Sequence, residues 1–207
     1  MTNSDRRTHW ENVYETKSER EVSWFQENPA PSLDLIALTG ATKSSAIVDI
    51  GGGASRLVDA LLAMGHRDVT VLDLSTAALA AARERLGRDA DWVKWIVADV
   101  TAWRPATTYD VWHDRAAFHF LNTSEEQAAY IERLRHGLKV GGYAIIGTFA
   151  LDGPEKCSGL PVTRHSADTI GVLLGSAFIL KDTRRHQHKT PWESVQNFQF
   201  STFLRLE

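Results

Sequence analysis

Residues 47–65, IVDIGGGASRLVDALLAMG, run a strand, a glycine turn and a helix together without a linker. The apolar stretch AIVDI ends at glycine and reads as a buried strand. Leu57, Val58, Leu61 and Leu62 then share one helical face, and Gly65 is a natural stop. The alternation continues along the chain. VTVLD, WVKWIVAD, YDVWHD and GGYAIIGTF read as further strands. Between them, STAALAAARERLG is alanine-rich, with Ser75 placed to cap it and Gly87 to end it. Thr123 followed by Glu126 forms a capping box that opens a helix to about Leu138. Upstream, Leu33, Ile36 and Ala37 recur at helical spacing; downstream, SADTIGVLLG is one more helix.

Strands alternating with helices predict a parallel sheet covered on both faces. The end of the chain departs from that rule. FILKDTRRH and NFQFSTFLR are separated only by a short turn near TPWES, whereas a parallel crossover needs about a dozen residues or more. The expected fold is therefore α/β, a doubly wound sheet, mostly parallel, finished by an antiparallel C-terminal hairpin. The length of 207 residues suits one domain, with residues 1–30 as an N-terminal segment ahead of the core. A net charge of −3 gives no global basic field, so nucleic acid is not an expected partner. There is no apolar run of about 18 residues to span a membrane and no apolar stretch behind the N-terminal charges to act as a secretory signal. The single cysteine, Cys157, excludes a disulfide framework and fits a reducing cytoplasm. No His/Cys spacing suggests a metal site.

In doubly wound sheets, ligands bind beyond the carboxyl ends of the strands, where strand order reverses. Gly51, Gly52 and Gly53 stand there, at the end of the first strand. A bare strand-to-helix turn is the plainer reading of a lone glycine cluster. Three acids sharpen it. Asp49 precedes the first glycine by two positions, Asp73 ends the second strand, and Asp99 ends the third. Asp73 is placed to accept hydrogen bonds from ribose hydroxyls. Asp99 is placed to reach an adenine amino group. A dinucleotide-binding turn would want a third glycine at the position of Arg56, and Asp49 would add negative charge beside a pyrophosphate. Asp49 suits a ligand bearing an ammonium group instead.

VDIGGGAS, VLDLS, VAD and YDVWHDRAAFHFL resemble motifs I to IV of the class I S-adenosylmethionine-dependent methyltransferases. LKVGGYAIIGTF resembles the turn before strand five of that family, with Val140 where proline is usual. Ser55 stands where the family often has a third glycine. The resemblance covers residues from about 45 to the end and implies a seven-stranded sheet with the last pair antiparallel. It implies S-adenosylmethionine as cofactor. Gly51, Gly52 and Gly53 would pass close to it, Asp49 would act near its amino group, and Asp73 would hold the ribose. Leu74, Asp99 and Val100 would surround the adenine, though core packing alone also explains Leu74 and Val100. His113 and Asp114, at the end of strand four, would lie near the methyl group. His113 and His119 are the candidate bases, and a hydrogen-bonded structural histidine is the plainer reading of each.

The segment HWENVYETKSEREVSWF is too polar for a core helix and too aromatic for a free tail. It reads as a lid in which Trp10, Tyr14, Trp24 or Phe25 shields the sulfonium, or else as a helix covering a sheet edge. This pattern, with WHDRAAFHFL, resembles the thiopurine-methyltransferase-like branch, which methylates sulfur and related soft nucleophiles on small molecules. The expected activity is methyl transfer to a small molecule, possibly a thiol. A protein lysine or RNA methyltransferase and a non-catalytic nucleotide-binding protein are the alternatives. The residues say nothing of oligomeric state.

Overall fold

The structure, a computed structural model, describes residues 3–207; residues 1 and 2 of the expected N-terminal segment lie outside the described residues. That segment contains helix α1 (Asn3–Thr16) and a single 3-10 turn (Glu19–Glu21). Helix α2 (Ala30–Leu38) follows, then β1 (Ile47–Ile50), α3 (Leu57–Ala63), β2 (Val69–Asp73), α4 (Thr76–Leu86), β3 (Val93–Val97) and β4 (Tyr109–Arg115). The second half holds α5 (Ser124–Gly137), β5 (Leu138–Phe149), a two-residue hairpin of β6 (Lys156–Cys157) and β7 (Leu160–Pro161), α6 (Ala167–Leu174), β8 (Phe178–Lys189) and β9 (Val195–Arg205).

Seven strands form one sheet in the order β3-β2-β1-β4-β5-β9-β8. The first five are parallel; β9 runs antiparallel between β5 and β8. The doubly wound sheet with its antiparallel end is thus the observed fold. Strand order reverses between β1 and β4, so the crevice expected for a ligand opens above those two strands. One layer of core packs α5 and α6 on the sheet around Trp112, Tyr130 and Phe203. The other packs α2 and α3 around Ile47, Leu61 and Phe200.

Local signals act as their chemistry requires. Ser75 Oγ accepts the Ala78 N–H at 3.0 Å, and Gly87 ends the helix at φ 57°. The Thr123–Glu126 capping box forms. In α2 the buried face falls on Pro31, Ser32, Leu35 and Ile36, so Ala37 is exposed despite its spacing. The closing strands run further toward each other than the apolar pattern indicates, down to a turn closed by Thr190 N–H on the Ser194 carbonyl at 2.9 Å. Among the described residues, no helix is long and apolar enough to cross a membrane.

Candidate functional site

Above the carboxyl ends of β1, β2 and β4 lies a cavity of about 800 Å³, open mouth included. Its floor begins at the glycine turn. Gly51 and Gly53 take positive φ, 66° and 42°. A Cβ on Gly51 would stand 2.7 Å from the Ala117 Cβ. Gly52 has ordinary φ but no room: its Cβ would meet Asp49 Oδ2 at 2.6 Å and Val71 Cγ1 at 2.7 Å. Conformation excludes side chains at the first and third positions and close approach at the second. Gly51 borders the cavity, whereas Gly52 and Gly53 lie behind it.

Asp73 and Leu74 follow from β2, Asp99 and Val100 from the end of β3, and all four line the cavity. Asp73 Oδ1 accepts the Ser75 N–H at 2.9 Å. Burial pushes its carboxyl up to about 7, against the opposing pull of that hydrogen bond, and Asp49 nearby adds to the rise. Asp99 Oδ1 accepts both the amide (2.8 Å) and the hydroxyl (2.7 Å) of Thr101. Its other oxygen, Oδ2, is buried without a partner. A buried acceptor left open on a cavity wall is a place for a donor on a ligand.

The N-terminal segment forms the roof. Glu11 accepts the Thr76 N–H (2.8 Å) and the Ala77 N–H (3.1 Å), so α1 supplies an acid to the N-terminus of α4. Arg6, buried in α1, pairs with Glu126 at the start of α5. Trp10 meets Trp24 and Phe120 edge-on, with ring centroids 5.4 Å and 5.0 Å apart. Trp24 Nε1–H donates to Tyr14 Oη at 3.2 Å. Arg115 donates to the Trp24 carbonyl and to Gln26 Oε1, tying the roof to the end of β4. Trp24 lines the cavity, with Trp10, Tyr14, Phe120 and Phe198.

The three side chains read from sequence as catalytic candidates do not border the cavity. His113 and Asp49 are cross-strand neighbours in the β1–β4 register. His113 Nδ1–H donates to Asp49 Oδ1 at 2.7 Å, and Nε2 lies 2.9 Å from Ser32 Oγ. This is the order of a hydrolase triad, but Ser32 is 1% exposed and faces no cavity, so it is sealed from any substrate. Asp114 accepts the amides of Ala117 (2.9 Å) and Phe118 (3.1 Å) and the Tyr130 hydroxyl (2.8 Å). Burial nonetheless pushes it up to about 6. These bonds close the turn at Ala116, whose φ is 70°. His119 is fully buried, and burial drives it down to about 3. Its Nδ1 accepts the Phe149 N–H at 3.4 Å. Asp49 also stands behind the glycine turn, bound to His113, and does not face the cavity directly.

Several lining residues carry no obvious sequence signal. Arg6 and Phe198 come from near the two ends of the chain. Cys157 lines the wall from β6, where burial pushes its thiol up to about 11 against a hydrogen bond with Ser23 and the charge of Arg115. Of the apolar residues after strand four, Ala116, Ala117, Phe120 and Leu121 line the cavity; Phe118 turns into the core against Tyr130 at 4.8 Å.

Residues 47–142, which hold the glycine turn and all three strand-end acids, match a family model described as a methyltransferase domain. The chain thus carries a methyltransferase domain over that stretch. The fold of this methyltransferase recurs in solved structures. A structure described as the conversion of a disulfide bond into a thioacetal group during echinomycin biosynthesis is 20% identical, with a TM-score of 0.75 over 97% of this chain and 92% of that one. The 1,6-didemethyltoxoflavin-N1-methyltransferase of Burkholderia thailandensis, solved with S-adenosylhomocysteine, is 20% identical, with a TM-score of 0.70 over 99% of this chain and 87% of that one. The N-methyltransferase NodS of Bradyrhizobium japonicum WM9 is 17% identical, with a TM-score of 0.72 over 95% and 98%. No protein with a curated description matches the methyltransferase sequence.

The pocket of this methyltransferase fits the family's cofactor on its own terms. It offers two carboxylates on adjacent strand ends, one of them with an unpartnered oxygen, and a glycine turn stripped of side chains beside them.

Proposed function

We propose that the methyltransferase transfers the methyl group of S-adenosylmethionine to a small-molecule acceptor, with a soft nucleophile, sulfur first, as the acceptor atom. The observation that carries the reading is the pairing of Asp73 and Asp99 along one wall of the cavity. In this arrangement Asp73 takes the ribose hydroxyls and Asp99 Oδ2 the adenine amino group, with Leu74 and Val100 against the ring. Gly51 lets the main chain pass close to the ligand. Asp49 contributes from behind the turn. Arg115 lines both the cavity and a narrow recess beside Ala54 and Ser55, where a methionine carboxylate would find it. The bound cofactor supplies an electrophilic methyl on a sulfonium.

The protein's part is placement and exclusion of water. Trp24 and Tyr14 cover the cofactor, and an aromatic face attracts the sulfonium charge. His113, Asp114 and His119 hold the wall in shape rather than moving protons at the acceptor. Trp10, Phe120 and Phe198 give the acceptor side an apolar lining, which suits a weakly hydrated nucleophile. A single buried cysteine also fits a reducing cytoplasm. Transfer of labelled methyl groups to an aryl thiol, an aryl hydroxyl and a lysine peptide tests the proposal. Methylation of the thiol in preference to the others supports it. Methylation of the peptide with no turnover of the thiol replaces it with the protein-methyltransferase alternative.

A further inference from the structure

We propose that the acceptor binds as its anion and that Arg6 is the residue that selects it. The inference rests on the cofactor reading above and adds the charge state of the second substrate. Six ionisable side chains line the cavity: Arg6, Tyr14, Asp73, Asp99, Arg115 and Cys157. Asp73 and Asp99 belong to the cofactor end. Tyr14 Oη, already accepting from Trp24, is held protonated far above neutrality by burial. Cys157 is a buried neutral thiol. The two histidines near β4 stand behind the wall, and their nitrogens face protein. Nothing on the acceptor side can take a proton from a neutral hydroxyl or thiol.

What the wall does offer is positive charge. Arg115 is bound to a carbonyl and an amide oxygen and is left to the cofactor's carboxylate, so the charge free for the acceptor is that of Arg6. Arg6 pairs with Glu126, and that carboxylate is shared. Its Oε1 takes Arg6, while Oε2 takes the amides of Asn122 (3.0 Å) and Thr123 (3.3 Å) at the start of the 14-residue helix α5. Glu126 thus answers a guanidinium and, together with Glu125, a helix N-terminus. Arg6 is 6% exposed, and a guanidinium has five N–H donors, of which Glu126 uses only some. An anion in the cavity meets charge-assisted donors. A cationic or protonated amine meets like charge.

The chemistry then balances without a base. The electron pair of the anionic acceptor forms the new bond to the methyl carbon. The carbon–sulfur bond breaks with its pair left on sulfur, and no proton changes place. The proton is lost earlier, to solvent, when the acceptor binds.

The test is calorimetry of benzyl mercaptan binding to the protein loaded with S-adenosylhomocysteine, at about pH 7, below the ordinary thiol range near 8.5. Two buffers of different ionisation enthalpy count the protons. The inference expects close to one proton released per thiol bound. Arg6→Gln should bind the thiol at least tenfold more weakly and release little or no proton. Glu126→Gln, which removes the competing charge but keeps an acceptor for the α5 amides, should bind it more tightly. A merely structural ion pair predicts that both variants weaken binding alike, and that result overturns the inference. So does uptake of the thiol without proton release by protein that binds S-adenosylhomocysteine, which leaves the cofactor reading standing. Protein that binds no S-adenosylhomocysteine overturns both.

Discussion

Asp73 carries the largest consequence of any single side chain. In the free protein burial holds its carboxyl near 7, well above its ordinary value. Ribose hydroxyls donating to it favour the ionised form, so binding expels the proton. Affinity for S-adenosylhomocysteine should therefore rise as pH increases through about 7 and level off above. The stability of the free protein runs the other way. A carboxyl raised on folding contributes stability that is present at low pH and lost as pH rises through its folded value. Asp73→Asn should thus raise the melting temperature at about pH 8, flatten the pH dependence of binding, and weaken binding by about 1.5–3 kcal/mol, the range for a hydrogen bond to a charged group. Calorimetry and thermal melts on one preparation read all three. Asp114 behaves differently. Asp114→Ala strips the acceptor from two amides and a tyrosine hydroxyl, each costing about 1–3 kcal/mol when left unpaired. Urea unfolding should show a loss of several kcal/mol. That Asp73 and Asp99 stand on one cavity wall was legible from residue type and position; that Asp49 turns behind the glycine turn was not. Nor were the roles of His113 and Asp114, because their partners, Asp49 and Tyr130, become neighbours only through strand register and helix packing.

At the scale of elements, several polar anchors hold the N-terminal segment on the core beside the Arg115 bonds to Trp24 and Gln26. Arg6 pairs with Glu126, Glu11 caps α4, and Glu19 pairs with Arg56 and Arg85. Arg85 also donates to the carbonyls of Ala54 and Ser55, so the last anchor is continuous with the glycine turn. Ion pairs that are partly exposed hold weakly and open readily. Hydrogen exchange across residues 9–25 should be fast in the free protein and slow on addition of S-adenosylhomocysteine, which adds contacts to Trp24 and Tyr14. Glu11→Ala removes a cap worth about 1 kcal/mol and should speed that exchange with little change in α5. Unchanged exchange in both experiments would mean a fixed cover. The aromatic content of this segment announced a cover, but its helix did not show in the apolar pattern. The side chains that seat α1 include Arg6 and Glu11 beside Trp10 and Val13, so the inward face is not an apolar stripe.

At the scale of the whole molecule, the order of strands follows from patterns that survive without contacts: short apolar runs, helix caps, and a final connection too short for a crossover. The small β6–β7 hairpin was not legible. It has two residues per strand and is placed by neighbours from elsewhere, among them Asn122, whose Nδ2 donates to the Pro161 carbonyl at 3.0 Å. That hairpin brings Cys157 to the cavity, so one wall of the site depended on packing that no local pattern records. The central claim is that the crevice between β1 and β4 is built for S-adenosylmethionine and not for a dinucleotide. The most direct measurement is a calorimetric titration of the purified protein at about pH 8 with S-adenosylhomocysteine and, separately, with NAD. The account predicts saturable one-to-one binding of S-adenosylhomocysteine, lost or strongly weakened in Asp73→Asn, and no heat from NAD. Binding of NAD without binding of S-adenosylhomocysteine would contradict it.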